Sequence, residues 1–412
     1  MTGEMATAAK SWNRNLGWLC VDQMRSNLAG TSGTFILSWM LYTLTGSKAA
    51  MGGIWLLSLV GQWLVQWIAG PYIDRWKRVT VMKLSETIRG AAFLFVWLMW
   101  IAGHKEAYII WIGSFVSSLH VYDAAAGALI PKLSESDKLV RVNAVLSGSV
   151  QLVRVLALPT AGLLTGMLSA EFLLPVMAIL FWCVWFPASF INERPQSAGT
   201  VRTWKGSFVQ GIQVYQSNRI LCGLTLLVAV TSFGVFATQA MYIPYVTETL
   251  HGGPLASGLF SAAFPFGYVC GSIIAGWLRE PGTYLYAVMS AALFAGGLTY
   301  IMLGMTTSIH TALVIEAAAG VAMPFWNVYS STLYYRIVPE SVLGQVLSVR
   351  SLLTKAMTPV GVMYGTYLAS SFGMPALFMS VGVLICTISG AGIFIFGRAA
   401  ALRQVGSVSA KE

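Results

Sequence analysis

Charged residues are scarce in this chain of 412 residues. Asp, Glu, Lys and Arg together make up 10% of it, whereas a soluble domain has about 25%. Hydrophobic residues reach 56% and the mean hydropathy is +0.70. A soluble fold could not bury so much apolar surface in one core, but a bilayer solvates it directly. The composition therefore excludes an ordinary soluble protein and indicates an integral membrane protein.

Motifs for chemistry are missing as well. No GxxxxGK[ST] pattern is present, so ATP is not expected to drive this chain by itself, and no nucleophile triad predicts an enzyme. The 5 cysteines lie inside apolar stretches without CxxC or metal-ligand spacing, which favours packing over a disulfide or redox role. We therefore predict no catalytic residue, no metal and no cofactor.

The basic residues are distributed unevenly. The net charge of +10 would suit a nucleic-acid-binding protein, but Lys and Arg collect in alternate short connections, which is a topology signal. With a cytoplasmic N-terminus, Lys48 and Lys105 are the basic residues that fall outside. This asymmetry predicts a multi-pass protein of the bacterial cytoplasmic membrane, surrounded by lipid, with both termini in the cytoplasm and no nucleic-acid partner.

Apolar segments of about 20 residues, the length that crosses a bilayer, recur along the chain. They predict an all-α membrane protein with twelve transmembrane helices. The predicted spans are 15–43, 49–70, 79–102, 107–129, 143–169, 172–191, 219–246, 255–278, 284–305, 310–334, 345–369 and 374–397.

The two halves of the chain resemble each other. Arg154 precedes Pro159 in the fifth span, as Lys355 precedes Pro359 in the eleventh. Duplicated six-helix halves are typical of secondary transporters, with the substrate path between them. We predict two pseudo-symmetric six-helix bundles, 1–192 and 218–412, joined by a cytoplasmic linker, 193–217.

A short loop after the second span carries a family resemblance. It reads Gly70-Pro71-Tyr72-Ile73-Asp74-Arg75-Trp76-Lys77-Arg78. This resembles the G-x-x-x-D-R-x-x-R/K loop between helices two and three of the major facilitator superfamily. The resemblance implies that fold, with a gate on the cytoplasmic side. Its predicted residues are Gly70, Asp74, Arg75, Arg78, Glu86, Arg89 and Asp123.

Other segments resemble one branch of that superfamily. Tyr122 to Pro131, followed by Leu139-Val140-Arg141-Val142-Asn143-Ala144, is similar to a region of the enterobactin exporters and macrolide efflux proteins. Phe325-Trp326-Asn327-Val328 and the loop to Glu340 are similar to the tenth helix of that branch. The second half departs from it at Gln345, where Gly-Arg is usual.

Ionisable residues inside the predicted spans are the candidate site, because a charge in a bilayer costs about 2.5–3.5 kcal/mol on insertion scales. Asp22 and Arg25 share one helical face. They are either a neutralised structural pair or a proton carrier, Asp22, beside a cation that adjusts it. Desolvation favours a neutral carboxyl and a nearby cation favours the charged form, so substrate arrival would shift the balance.

Three further intramembrane residues belong to the candidate site. Arg154 and Lys355 either bind carbonyl groups freed by the nearby prolines or face a polar or anionic group. Glu316, in the outer half of the tenth span, is the second candidate for a proton carrier; otherwise it faces an outer aqueous vestibule. Aromatic residues beside proline breaks are predicted to line a cavity: Phe264, Phe266, Phe325 and Trp326.

These observations predict a monomeric secondary transporter that exports a small, drug-like or hydrophobic molecule by proton antiport and alternating access. Two other cargoes stay open: a siderophore or anionic metabolite, favoured by the cations Arg25, Arg154 and Lys355, and a lysophospholipid moved by a flippase. A non-transporting membrane receptor or assembly factor is the alternative outside transport, and it predicts no substrate counterflow.

Overall fold

The computed structural model describes residues 14–73, 76–134, 139–193, 213–215, 218–278, 281–282 and 285–409. In the first half of this described chain the helices are α1 Arg14–Thr45, α2 Lys48–Ile73, α3 Arg78–Ile101, α4 in two segments, Ala107–Ser118 and Tyr122–Leu133, α5 Leu139–Met167, and α6 Ala170–Trp182. Two 3-10 turns, Cys183–Trp185 and Pro187–Phe190, prolong α6.

The second half repeats this arrangement of long helices. Its helices are α7 Arg219–Gln239, α8 Pro254–Trp277, α9 Leu285–Met305, α10 Ile309–Ile337, α11 Glu340–Phe372 and α12 Met374–Ser409. A short helix, Tyr242–Pro244, and a π-turn, Tyr245–Thr249, continue α7. The predicted all-helical membrane architecture with twelve helices is confirmed for the residues described.

Ten of these helices are long and apolar enough to cross a membrane, counted over the described residues. The other two, α1 and α11, have 32 and 33 residues. Their length exceeds the roughly 20 residues that a bilayer requires, but their charged and polar side chains lower the mean hydropathy. Those side chains include Asp22 and Arg25 on α1, and Arg350 and Lys355 on α11.

The chain divides into two compact units. The first unit comprises Met1–Gly199 with Gly252–Ala262, and the second comprises Thr200–His251 with Ala263–Glu412. The beginning of α8 is therefore assigned to the first unit and the rest of that helix to the second. Most of the predicted linker, 193–217, lies outside the described residues.

Two predicted spans contain interruptions. The fourth span is broken between Ser118 and Tyr122, where His120 lies in the gap between the two segments of α4. The seventh span stops as an α-helix at Gln239, a few residues before Pro244. Proline removes one backbone donor and disfavours the preceding α-helical turn, which accounts for the altered helix there. The interruption in α4 contains no proline; there the hydroxyl of Ser118 donates to the carbonyl oxygen of Phe115 at 2.6 Å.

Glycines allow close contact between α7 and α11 in the second unit. A Cβ at Gly361 would lie 2.3 Å from the carbonyl oxygen of Phe233, and one at Gly365 would lie 2.1 Å from that of Ala237. Such distances mean that the two backbones touch. Small residues at helix interfaces are the usual way in which membrane helices gain packing energy, because lipid is as apolar as the side chains.

Gly365→Ala is expected to lower the free energy of unfolding by about 1–3 kcal/mol, because the added methyl group overlaps the carbonyl oxygen of Ala237. Gly296→Ala, the matched control, adds the same methyl group to α9, where no atom lies within 4 Å. Since alanine has the higher helix propensity, the control is expected to be neutral or stabilising. Thermal unfolding in detergent would compare them, and equal melting temperatures would contradict the packing argument.

Candidate functional site

Four charged side chains meet inside the first unit: Asp22 and Arg25 on α1, and Glu86 and Arg89 on α3. We call them the charge quartet. Arg25 lies 2.9 Å from Asp22 and 3.0 Å from Glu86, and Arg89 lies 3.0 Å from the other oxygen of Glu86. Both acids have fully buried side chains. With two acids and two arginines, the quartet is electrically balanced.

Arg25 also joins the quartet to α6. One of its terminal nitrogens donates to the carbonyl oxygens of Leu180 and Phe181, at 2.8 and 3.2 Å. These carbonyls belong to the last turn of α6, where a helix leaves acceptors unpaired. The Arg89 guanidinium lies over the ring of Phe181, 4.3 Å from its centroid. Arg25 therefore connects α1, α3 and α6 through its hydrogen bonds and ion pairs, an arrangement that stabilises the packing of these helices.

The interruption of α4 supplies the remaining partner of Asp22. Tyr122, at the start of the second segment, donates its hydroxyl to Asp22 at 2.8 Å. The backbone N–H of Val121 donates to Ser85 on α3 at 3.1 Å. These contacts compensate for the α-helical bonds lost at the break. The sequence analysis quoted Tyr122 in a segment that resembles a family but did not predict its contact with Asp22, because that contact depends on where the break in α4 places the ring.

The predicted cytoplasmic gate is described in part. Asp74 and Arg75 lie outside the described residues, and Gly70 is placed only as backbone in α2. Arg78 lies 3.4 Å from Glu193, beyond the end of α6. Glu86 and Arg89, also predicted for the gate, are members of the charge quartet, and Asp123 is exposed.

Glu316, in the second unit, is a buried acid whose surroundings differ from those of the two quartet acids. Its side chain is 1% exposed. The hydroxyl of Tyr242 donates to Oε1 at 2.5 Å, whereas Oε2 has no hydrogen-bond partner among the described residues. No described Lys or Arg forms an ion pair with it. Glu316 can therefore gain or lose a charge without breaking an ion pair.

The helices around Glu316 contain few other charges. α8 and α9 have none of the four charged residue types along their length, and α10 itself carries His310 and Arg336. Glu248 lies in the π-turn after α7. The first residue of α10 is Ile309, so Glu316 lies about 10 Å along the helix from that end. The Asp, Glu, Lys and Arg residues of α7 and α11 are Arg219 on α7 and Glu340, Arg350 and Lys355 on α11.

Glycines hold α8 and α10 close beside this carboxyl. A Cβ at Gly267 would lie 1.9 Å from the carbonyl oxygen of Ala317, the residue after Glu316. One at Gly320 would lie 2.2 Å from that of Phe264. The backbone that carries Glu316 is therefore packed directly on α8, which fixes the position of its side chain.

The two predicted lone cations are on the surface of their units. Both Arg154 and Lys355 are exposed side chains, and no described residue forms an ion pair with either. Arg350 on α11, which lies inside the eleventh predicted span, was not identified by the sequence analysis.

The predicted cavity aromatics have different surroundings. Trp326 is 1% exposed and belongs to the hydrophobic core of the second unit. Phe325 contacts that core, Phe264 is half-buried and Phe266 is 55% exposed. A cavity of about 360 Å³ does occur in the first unit, near the ends of α1, α3 and α5, with Trp39 and Trp100 in its wall.

The chain matches a known family over most of its length. Residues 26–352 fit the sequence model of the Major Facilitator Superfamily. An uncharacterised MFS-type transporter of Bacillus subtilis, YvqJ, is 24% identical over 97% of this chain and 96% of its own length. Macrolide efflux protein A of Streptococcus pyogenes is 21% identical over 84% of this chain and 87% of its own.

Solved structures support the fold assignment. A bacterial homologue of the iron transporter ferroportin, in an inward-facing state, superimposes with a TM-score of 0.67, covering 92% of this chain and 98% of that one at 17% identity. A bacterial homologue of the human lysosomal transporter Spinster gives 0.62 over 94% and 95%, at 15% identity. At such identities the likeness concerns the fold alone.

Proposed function

Because this chain belongs to the Major Facilitator Superfamily, we propose that it exports a small molecule from the bacterial cytoplasm in exchange for protons, by alternating access. That it is a multi-pass membrane transporter follows from family and fold. The direction, the coupling ion and the cargo are the proposal. We also propose that it acts as a monomer in the cytoplasmic membrane with both termini inside, as the distribution of Lys and Arg favours.

Glu316 is the observation that supports proton coupling. A proton carrier must alternate between a charged and a neutral form during each cycle. In the quartet, protonating Asp22 would leave Arg25 with less negative charge beside it, and losing one member of a buried ion pair is strongly unfavourable. Glu316 has no such partner among the described residues. We therefore propose Glu316 as the proton carrier and assign Asp22, the first candidate from the sequence, to the structural quartet.

Export is favoured by a relative. The name of macrolide efflux protein A states efflux for a protein that aligns with 84% of this chain. A drug-like or hydrophobic cargo is consistent with a path lined by aromatic residues, of which Phe264 and Phe325 are half-buried in the second unit. Apolar walls with a few placed polar groups are the usual composition of small-molecule sites.

An anionic metabolite is the second candidate cargo. Arg154 and Lys355 are exposed cations within long helices, and a charge at membrane depth is usually placed for function. Arg25, which the sequence analysis counted with them, is neutralised by Asp22 and Glu86. The case for an anion therefore rests on two cations.

Everted membrane vesicles provide the test. An imposed gradient, acidic inside, should drive accumulation of the cargo from a panel of a macrolide, a lipophilic cation and a catecholate anion. Accumulation should collapse when a protonophore is added and should be absent from vesicles without the protein. Uptake that persists with the protonophore would contradict proton coupling, and accumulation only in right-side-out vesicles would contradict export.

A further inference from the structure

Arg350 on α11 has a setting unlike that of any arginine in the charge quartet. Its side chain is half-buried. The guanidinium lies over the ring of Tyr334, 4.6 Å from its centroid, and one terminal nitrogen is 3.5 Å from the hydroxyl of Ser330. Among the described residues no carboxylate forms an ion pair with it. Most of its N–H donors therefore have no protein acceptor in the described part of the chain.

The hydroxyls beside Arg350 are already engaged. Tyr334 shares a hydrogen bond of 2.6 Å with Thr225 on α7. Tyr215 donates to the carbonyl oxygen of Val346 at 3.1 Å. Tyr334 and Ser330 are fully buried, so the ring under the guanidinium is held rigidly. An aromatic face attracts a cation but does not neutralise its charge, and an oxyanion is the group that would.

The depth of Arg350 indicates where such an anion would come from. Counting about 20 residues back from Phe372, the end of α11, places the inner edge of the hydrocarbon near residue 353. Counting forward from Ile309 on α10 places it near residue 329. Arg350, Ser330 and Tyr334 thus lie at one level, that of the cytoplasmic headgroups, if both termini are cytoplasmic as proposed. Lipid phosphates and cytosolic phosphate both reach this level.

We propose that Arg350, whose guanidinium lies over the ring of Tyr334 and beside the hydroxyl of Ser330, forms a phosphate-binding site at the cytoplasmic surface of the second unit. The planar guanidinium presents paired N–H donors that match two oxygens of a phosphate group. The acid nearest to it along α11, Glu340, is about 15 Å away by helical rise. The site is independent of Glu316 and of proton coupling, so either proposal can fail alone.

The test compares purified wild type with three variants by native mass spectrometry, titrating phosphatidylglycerol or phosphatidylcholine. Arg350→Gln should weaken phosphatidylglycerol binding about tenfold, the effect of losing a charge-assisted hydrogen bond. Arg350→Lys keeps the charge without the planar fork and should fall between. Arg336→Gln, the control, removes an exposed arginine from the last turn of α10 and should bind like wild type.

A second arm distinguishes the source of the phosphate. Line broadening of inorganic phosphate in phosphorus NMR, present with wild type and lost in Arg350→Gln, would assign the site to soluble phosphate. A loss seen with phosphatidylglycerol alone would assign it to lipid. If neither probe separates wild type from Arg350→Gln, or if Arg336→Gln loses as much, the proposal is overturned. Thermal unfolding would show whether Arg350→Gln is folded. If it is not, Arg350→Lys provides the test, and binding as tight as that of wild type would overturn the proposal that paired N–H donors hold the phosphate.

Discussion

Glu316→Gln is expected to abolish proton-driven transport while leaving substrate exchange intact. Glutamine has the shape of glutamate and still accepts the hydrogen bond from Tyr242, but its amide cannot take up or release a proton. Accumulation driven by a pH gradient should fall to the level of vesicles without the protein. Counterflow, in which labelled substrate exchanges with unlabelled substrate and no net proton moves, should continue at a rate close to that of wild type.

Two control variants distinguish the role of the Glu316 carboxyl from that of a nearby acid and from that of its hydrogen-bond donor. Glu248→Gln makes the same change at an exposed acid in the π-turn after α7 and should retain coupling. Tyr242→Phe removes the hydroxyl that Glu316 accepts while keeping the carboxyl, and it too should retain coupling. If Tyr242→Phe lost as much as Glu316→Gln, the hydrogen bond rather than the proton would be essential.

Asp22→Asn completes the comparison between the two candidate carriers. We expect it to retain coupling, because the proposal assigns the proton to Glu316, and to lose stability, because Arg25 keeps a single acid partner, Glu86. Thermal unfolding and gradient-driven uptake would be measured on the same preparation. Full coupling in both Asp22→Asn and Glu316→Gln would mean that neither carboxyl carries the proton.

The fold was predictable from the sequence because the length and position of apolar segments determine where membrane helices form. Apolar length predicted the helices, including α1 and α11, although the charged side chains of those two helices lower their hydropathy. The break at His120 was not predicted. No proline or glycine marks it, and it is stabilised by contacts with Ser85 and Asp22 that lie far away in sequence.

The candidate site was predictable only within single helices. The spacing of three residues paired Asp22 with Arg25 and Glu86 with Arg89, and both pairs exist. The contact between Arg25 and Glu86 depends on how α1 and α3 are rotated against each other, which local spacing does not specify. Glu316 was identified as an isolated acid, but its lack of a cation among the described residues is a property of the packed bundle.

Glu86→Gln is expected to have the largest effect on stability. Glu86 accepts hydrogen bonds from both Arg25 and Arg89, at 3.0 Å each, and its side chain has no exposed surface. Removing its charge takes from Arg89 the ion pair with Glu86 and leaves Asp22 as the one charged acid of the quartet beside two arginines. Breaking a buried ion pair from one side costs about 3–5 kcal/mol, which for a chain of 412 residues corresponds to a melting temperature lower by roughly 5 °C. Thermal unfolding of the purified protein measures it.

A second replacement distinguishes charge balance from lost packing. Glu86→Gln combined with Arg89→Gln leaves Asp22 and Arg25 as a neutral pair, so part of the lost stability should return, and the interaction energy follows from the double-mutant cycle. Glu171→Gln is the control, since its partner Lys105 lies 3.8 Å away and both side chains are half exposed. A surface pair of this kind contributes about 0–1 kcal/mol. If the double variant is less stable than Glu86→Gln by the full effect of Arg89→Gln alone, the quartet does not act through its charge balance, and its residues contribute as separate contacts.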